Sequence, residues 1–173
     1  MSPAPQLVLI GPPGAGKTRL GKRVARILRS DFIDTDRRIV AQHGPIAQIF
    51  AEQGEAAFRR YERAVVAQAL TESAVVSLGG GAVLDRDTQR ELGGLRVVLV
   101  TVSPEAVEAR LSGSNRPLIA DGIASWSALV EARRETYERL ATRTWDTSRR
   151  PIEHIAAEIA AWVEAPVLTE EAP

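Results

Sequence analysis

The run Leu7-Val8-Leu9-Ile10, followed by Gly11-Pro12-Pro13-Gly14-Ala15-Gly16-Lys17-Thr18 and then by an amphipathic stretch, constrains this chain more than any other part of it. The apolar run reads as a strand buried on both faces, and the stretch behind the glycines reads as a helix. Between them the chain must turn sharply and open the helix with its free N–H groups facing outwards, which is a cradle for phosphate. Gly14 and Gly16 supply left-handed backbone that a Cβ would hinder. Lys17 is spaced to reach the β- and γ-phosphates of a nucleotide, and Thr18 to offer its hydroxyl to Mg²⁺. Ala15 and Arg19, in the same loop and first helical turn, complete the nucleotide-binding set. The competing reading, a glycine-rich turn without a ligand, leaves the lysine and threonine in register unexplained.

At 173 residues the chain suffices for one compact domain and is short for two. The expected organisation is a single domain over residues 1–173 with its core at about 6–163. A formal net charge of zero argues against a nucleic-acid or membrane surface. No apolar run approaches the roughly 20 residues of a membrane span. The absence of cysteine excludes disulfides and thiolate metal sites and fits a reducing compartment. Met1 to Pro5 carries no basic segment and no long apolar one, so no secretory signal is expected and the chain is placed in the cytoplasm. Lys17 and Lys22 are its only lysines, which marks Lys17, because the phosphate position suits a compact ammonium.

Short β-branched runs alternate with helical periodicity. Strands are predicted at Leu7–Ile10, Phe32–Asp34, Val75–Leu78, Val97–Val102 and, weakly, Thr144–Thr147. A helix over Thr18–Leu28 is expected to bury Leu20, Val24, Ile27 and Leu28, and one over Glu55–Leu70 to bury Phe58, Tyr61, Val65 and Ala69. Ser103-Pro104-Glu105 announces another helix through an N-cap, a first-turn proline and an acid. Ile152–Val163 closes the pattern, with Ile155, Ile159, Trp162 and Val163 inward. Such alternation implies an α/β fold, a mainly parallel sheet covered on both faces, with ligands beyond the C-terminal strand ends. The polar stretch 112–122 reads as a mobile lid, and 164–173 as a disordered tail.

Further groups narrow the chemistry. Asp34-Thr35-Asp36 ends the second strand near the phosphate loop; Asp34 is a candidate for Mg²⁺ through water and Asp36 for an acceptor's hydroxyls, while Thr35 or Asp36 could simply cap the following helix. Arg59 and Glu62 share a helix face, either as an exposed ion pair or as a rigid fork for a carboxylate. Gly79-Gly80-Gly81 at a strand's end reads as a tight turn or as a bare backbone approached by substrate. Arg116 in the expected lid reads either as a solvated charge or as a group that could close over a transferring phosphoryl group, and Arg133 is expected to begin a further helical segment. His43 and His154 show no metal or triad spacing, and Trp126, Trp145 and Trp162 read as packing residues.

In this order the motifs resemble the shikimate kinase family. Asp34-Thr35-Asp36 matches its D-T-D, Gly54 to Arg59 its G-E-x-x-F-R, Ser77 to Gly81 its glycine-rich stretch, Asn115-Arg116-Pro117-Leu118 its R-P-L lid, and Arg133 to Tyr137 an R-x-x-x-Y segment. The resemblance implies ATP-dependent phosphorylation of the 3-hydroxyl of shikimate, towards chorismate and the aromatic amino acids. It implies a three-layer α/β/α P-loop kinase fold with a five-stranded parallel sheet of order 2-3-1-4-5. By the family's pattern Asp36 binds substrate hydroxyls, Arg59 and Arg133 clamp the carboxylate, and the Gly80 backbone touches substrate. Arg116 closes on ATP phosphate, and Arg110 and the Arg150-Pro151 region flank adenine. Lys17, Asp34, Asp36 and Arg116 form the implied catalytic set; Thr18 and, through water, Asp34 hold the metal. A monomer acting on a small molecule, without nucleic acid or membrane, is expected. Glu135-Thr136-Tyr137 departs from the usual P-L-Y, and the lid is shorter than in some relatives. The rival expectations are a kinase for another small sugar acid such as gluconate, or a nucleotide-binding module without catalysis.

Overall fold

A computed structural model describes residues 2–111 and 122–166. The chain runs β1 (Leu7–Ile10), α1 (Lys17–Leu28), β2 (Asp31–Asp34), α2 (Thr35–His43), α3 (Ile46–Gln53) and α4 (Glu55–Ala69). It continues through β3 (Ala74–Ser77), a 3₁₀ turn (Ala82–Leu84), α5 (Arg86–Leu92), β4 (Val97–Thr101), α6 (Pro104–Leu111), α7 (Ile123–Leu140), β5 (Arg143–Asp146) and α8 (Ile152–Glu164). The five strands form one parallel sheet of order β2-β3-β1-β4-β5, as expected.

The sheet divides the apolar residues by their parity. Leu7 and Leu9 of β1, with Val75, Val98 and Val100, face Leu20 and Val24 of α1 and Ile155 and Ile159 of α8. Val8 and Ile10, with Val76 and Leu99, face Val66 and Ala69 of α4, Leu92 of α5 and Tyr137 of α7. This is the two-residue period of a strand with both faces covered. β1 lies at the centre, Leu9 beside Ser77 on one side and Val98 on the other. That position brings the loops after β1 and β3 out side by side.

Several expectations need correction. Ile27 is 46% exposed, because α1 packs through its small residues Gly21 and Ala25, which turns the buried arc away from it. A Cβ at Gly21 would lie 2.4 Å from the Phe32 ring. The cap of α2 is Asp34, whose Oδ1 accepts from the Arg37 N–H at 3.2 Å, and neither Thr35 nor Asp36 takes that role. Arg133 sits inside α7 and does not begin a helix. Helix α8 extends through Glu164, the first residue assigned to the tail. Residues 112–121 of the expected lid, Arg116 among them, and residues 167–173 lie outside the described residues. No helix among the described residues is long and apolar enough to cross a membrane.

Gly11 leaves β1 with φ 144°, and a Cβ there would stand 2.2 Å from the backbone carbonyl oxygen of Val100 in β4. Backbone cannot yield as a side-chain tip can. Gly11→Ala is expected to destabilise the fold by about 3 kcal/mol, combining overpacking with a strained φ. Thermal unfolding should show a fall of roughly 10 °C in a chain of this size.

Candidate active site

The phosphate loop leaves β1 and folds back through Gly14 at φ 83° and Gly16 at φ 87°. Its carbonyls are held from outside. Arg110 of α6 donates to Gly14 O at 2.9 Å and to Thr147 O at 2.6 Å, and the Thr147 hydroxyl donates to Ala15 O at 2.7 Å. Trp126 Nε1 of α7 donates to Pro13 O at 2.8 Å. Lys17 Nζ arches back to Gly11 O at 2.7 Å and Pro12 O at 3.0 Å. Desolvation lowers the pKa of this ammonium to about 8, against the raising pull of Asp36 and Asp34. Arg19 is exposed on the first turn of α1.

Two carboxylates stand across from the loop. Asp34 Oδ2 accepts from the Thr18 hydroxyl at 2.6 Å. Asp36, in the first turn of α2, has its Oδ1 buried with no hydrogen-bond partner among the described residues. Burial first, and then Asp34, raises its pKa above the usual carboxylate range, while Lys17 and Arg59 oppose the rise. A buried acceptor without a donor is costly unless a ligand supplies one.

The three glycines after β3 explain how distant residues meet. None has positive φ, so they are not there for turn geometry. A Cβ at Gly79 would stand 2.5 Å from Asp36 Oδ1; at Gly81 it would stand 2.5 Å from the Arg59 guanidinium. At Gly80 it would approach Pro13 at 3.1 Å and the Arg133 guanidinium at 3.4 Å. Gly79 and Gly81 give room to the charged side chains of Asp36 from α2 and Arg59 from α4, and Gly80 gives room to Pro13, with Arg133 of α7 at contact distance. The turn is tied down by Thr35, whose hydroxyl accepts from Gly79 N at 3.2 Å, and by Tyr137, whose hydroxyl donates to Gly80 O at 2.6 Å.

Arg59 donates to Glu62 Oε1 at 2.8 Å, and Glu62 is only 4% exposed, so this is not the solvated surface pair left open by the sequence. Burial raises the Glu62 pKa, and the hydrogen bond and charge of Arg59 oppose that. The Arg59 guanidinium also lies 5.3 Å over the ring of Phe58, a core residue against which the half-exposed Phe50 packs. Lys17, Asp34, Asp36, Arg59, Gly80 and Arg133 therefore share one bowl. Arg150 instead pairs with Glu158 along α8, and Arg110 braces the loop from outside. His43 stacks on Tyr61 at 3.8 Å, a structural role. Sequence reasoning gave Tyr137 no role beyond its place in the R-x-x-x-Y segment, read Trp126 as packing and did not single out Thr147, because each acts through a contact far along the chain.

The shikimate kinase family model matches residues 13–164. The chain belongs to the shikimate kinase family. It is 46% identical to a shikimate kinase of Salinispora tropica, over 91% of this chain and 97% of that one. Among solved structures it is similar to the Acinetobacter baumannii shikimate kinase in complex with shikimate, with TM-score 0.84 and 28% identity over 93% of each chain. It also matches the Bacteroides thetaiotaomicron shikimate kinase, with TM-score 0.83 and 30% identity over 94% of this chain and 99% of that one. The fold and family expected from the motifs are thus met.

An anion binds the charged form of Lys17 more tightly than the neutral amine. With the ammonium titrating at about 8, nucleotide affinity should be flat below that pH and fall above it. The fall is limited to about tenfold per pH unit. Calorimetric titration of ATP at pH 7 and pH 9 checks this, and Lys17→Arg should flatten the profile.

Proposed function

We propose that this family member transfers the γ-phosphoryl group of ATP to the 3-hydroxyl of shikimate, giving ADP and shikimate 3-phosphate. What carries the reading is the gathering of Asp36, Arg59 and Arg133 around Gly79-Gly80-Gly81, beside the phosphate loop. Shikimate is a small ring with one carboxylate and three hydroxyls. Two guanidinium groups complement the carboxylate, and the unpartnered Asp36 oxygen complements a hydroxyl donor. The Glu62 carboxylate keeps the Arg59 fork aimed.

In this reading Asp36 fixes the acceptor oxygen in line with the γ-phosphorus. As the new O–P bond forms, the bond from phosphorus to the β,γ-bridging oxygen breaks, ADP leaves with that electron pair, and Asp36 takes the hydroxyl proton. Alignment supplies more of the acceleration than early deprotonation does. Lys17 stabilises the charge that collects on the transferring group, and the phosphate loop with Arg19 holds the nucleotide. Arg110 and Arg150 are assigned to the adenine side. Arg116 is assigned, on its motif alone, to the γ-phosphate.

Thr18 and Asp34 offer a hydroxyl and a carboxylate 2.6 Å apart, hard oxygen donors that suit Mg²⁺. No group of three or more acidic or histidine side chains among the described residues could cage a metal alone, which fits an ion shared with phosphates and water. When bound, such an ion neutralises β- and γ-phosphate charge. The chain is read as one kinase domain over 1–173, monomeric and cytoplasmic.

Coupled ADP release with ATP and Mg²⁺ should show turnover on shikimate. Turnover on gluconate with none on shikimate rejects the substrate, and no turnover on any acceptor points to a nucleotide-binding module. Arg59→Ala and Gly81→Ala remove or displace the same fork. Each should raise KM for shikimate tenfold or more, by roughly the 2 kcal/mol of a charge-assisted hydrogen bond, with ATP affinity kept. Acceptor affinity should also decline as pH falls through the raised pKa of Asp36, because the protonated carboxyl has lost its charge and an acceptor site.

A further inference from the structure

The glycine turn has a weakness built into it. Gly79, Gly80 and Gly81 clear space for three side chains, but consecutive glycines leave the backbone free to wander unless something pins it. Gly80 has no side chain to pin, so its peptide groups are the only handles. One of them is used: Tyr137, 2% exposed on α7, donates its hydroxyl proton to Gly80 O at 2.6 Å.

Arg133 lies one helical turn before Tyr137 on the same face of α7, and its positive charge bears on the phenol. A phenol has one proton, and it is given to Gly80 O. The oxygen therefore keeps only acceptor capacity for the neighbouring guanidinium, so the phenol stands between Arg133 and the glycine turn. The Arg133 guanidinium in turn lies over Gly80, at the position where a Cβ would meet it at 3.4 Å.

We propose that Tyr137 is a positioning residue for the acceptor's carboxylate, holding the Arg133 fork and the Gly80 backbone in one fixed relation. The inference rests on the reading of Arg133 as a carboxylate clamp. It adds that the clamp is preorganised by the phenol of its own helix; among the described residues no acidic side chain pairs with Arg133 as Glu62 does with Arg59.

Tyr137→Phe keeps the ring and removes both the hydrogen bond to Gly80 O and the acceptor oxygen beside Arg133. The expected result is a rise of about tenfold in KM for shikimate, with KM for ATP within about twofold and kcat lowered no more than about threefold. In an Arg133→Ala background the same substitution should raise KM by less than about twofold, because the group it orients is gone. A purely structural role for the phenol would raise KM equally in both backgrounds and disturb ATP as well, through Pro13 beside Gly80; either result overturns the proposal.

A measurement that needs no change at Tyr137 covers the case in which the variant does not fold. The chain has two tyrosines, so 3-fluorotyrosine labelling gives two ¹⁹F signals, and Tyr61→Phe assigns them. Saturating shikimate should shift the Tyr137 signal, and a signal that stays put with turnover intact overturns the inference. No turnover of shikimate by the unsubstituted chain defeats the parent reading together with this one. Normal turnover beside an unchanged KM in Tyr137→Phe defeats this one alone.

Discussion

Absence of side chains at the end of β3 governs the rest of the acceptor site. Asp36, Arg59 and Arg133 come from three helices and are separated by up to about a hundred residues of chain, yet Asp36 and Arg59 need the volume that a Cβ on Gly79 or Gly81 would occupy, and Arg133 lies at contact distance from Gly80. The parallel sheet supplies the other half of the constraint. With β1 and β3 paired in register, the loops that follow them leave the same edge together. Pro13 of the phosphate loop then stands against Gly80. Donor and acceptor sites share a wall because two strands share a ladder.

Charge within that wall is balanced by type and not by simple pairing. Lys17, Arg59 and Arg133 face Asp34, Asp36 and Glu62 in a partly desolvated bowl. Burial works against three of these charges, lowering the pKa of Lys17 and raising those of Asp36 and Glu62, while the opposite charges restore part of the loss. Arg59 has Glu62, Thr18 has Asp34, and Asp36 keeps its buried Oδ1 uncommitted among the described residues. The site holds back a buried acceptor where a polyol brings donors.

Much of this was legible in the sequence, for identifiable reasons. The buried strands announced themselves because β-branched runs flanked by glycine leave few alternatives, and each predicted strand lies within a residue of the observed one at either end. Helices α3 and α5 went unread: one sits between glycines with a weak apolar pattern, the other is a short polar segment capped by Asp85. Ile27 was misplaced because periodicity counts large apolar residues, whereas α1 packs through Gly21 and Ala25. The motif residues were found, but the reason for the triple glycine was not. Clearance for side chains depends on which helices cross the turn, and no local pattern carries that. The burial of Glu62 and the reach of Tyr137 to Gly80 are likewise properties of the packed chain.

The bracing of the phosphate loop has a consequence of its own. Carbonyl oxygens of Pro13, Gly14 and Ala15 are each engaged by an indole, a guanidinium or a hydroxyl on the outer side of the loop. With those negative ends turned away and fastened, the concave side is left to amide hydrogens and the lysine. Only the lysine, now bonded back to Gly11 O and Pro12 O, has to swing when a triphosphate arrives, so most of the loop's preference for anions is present before any ligand is.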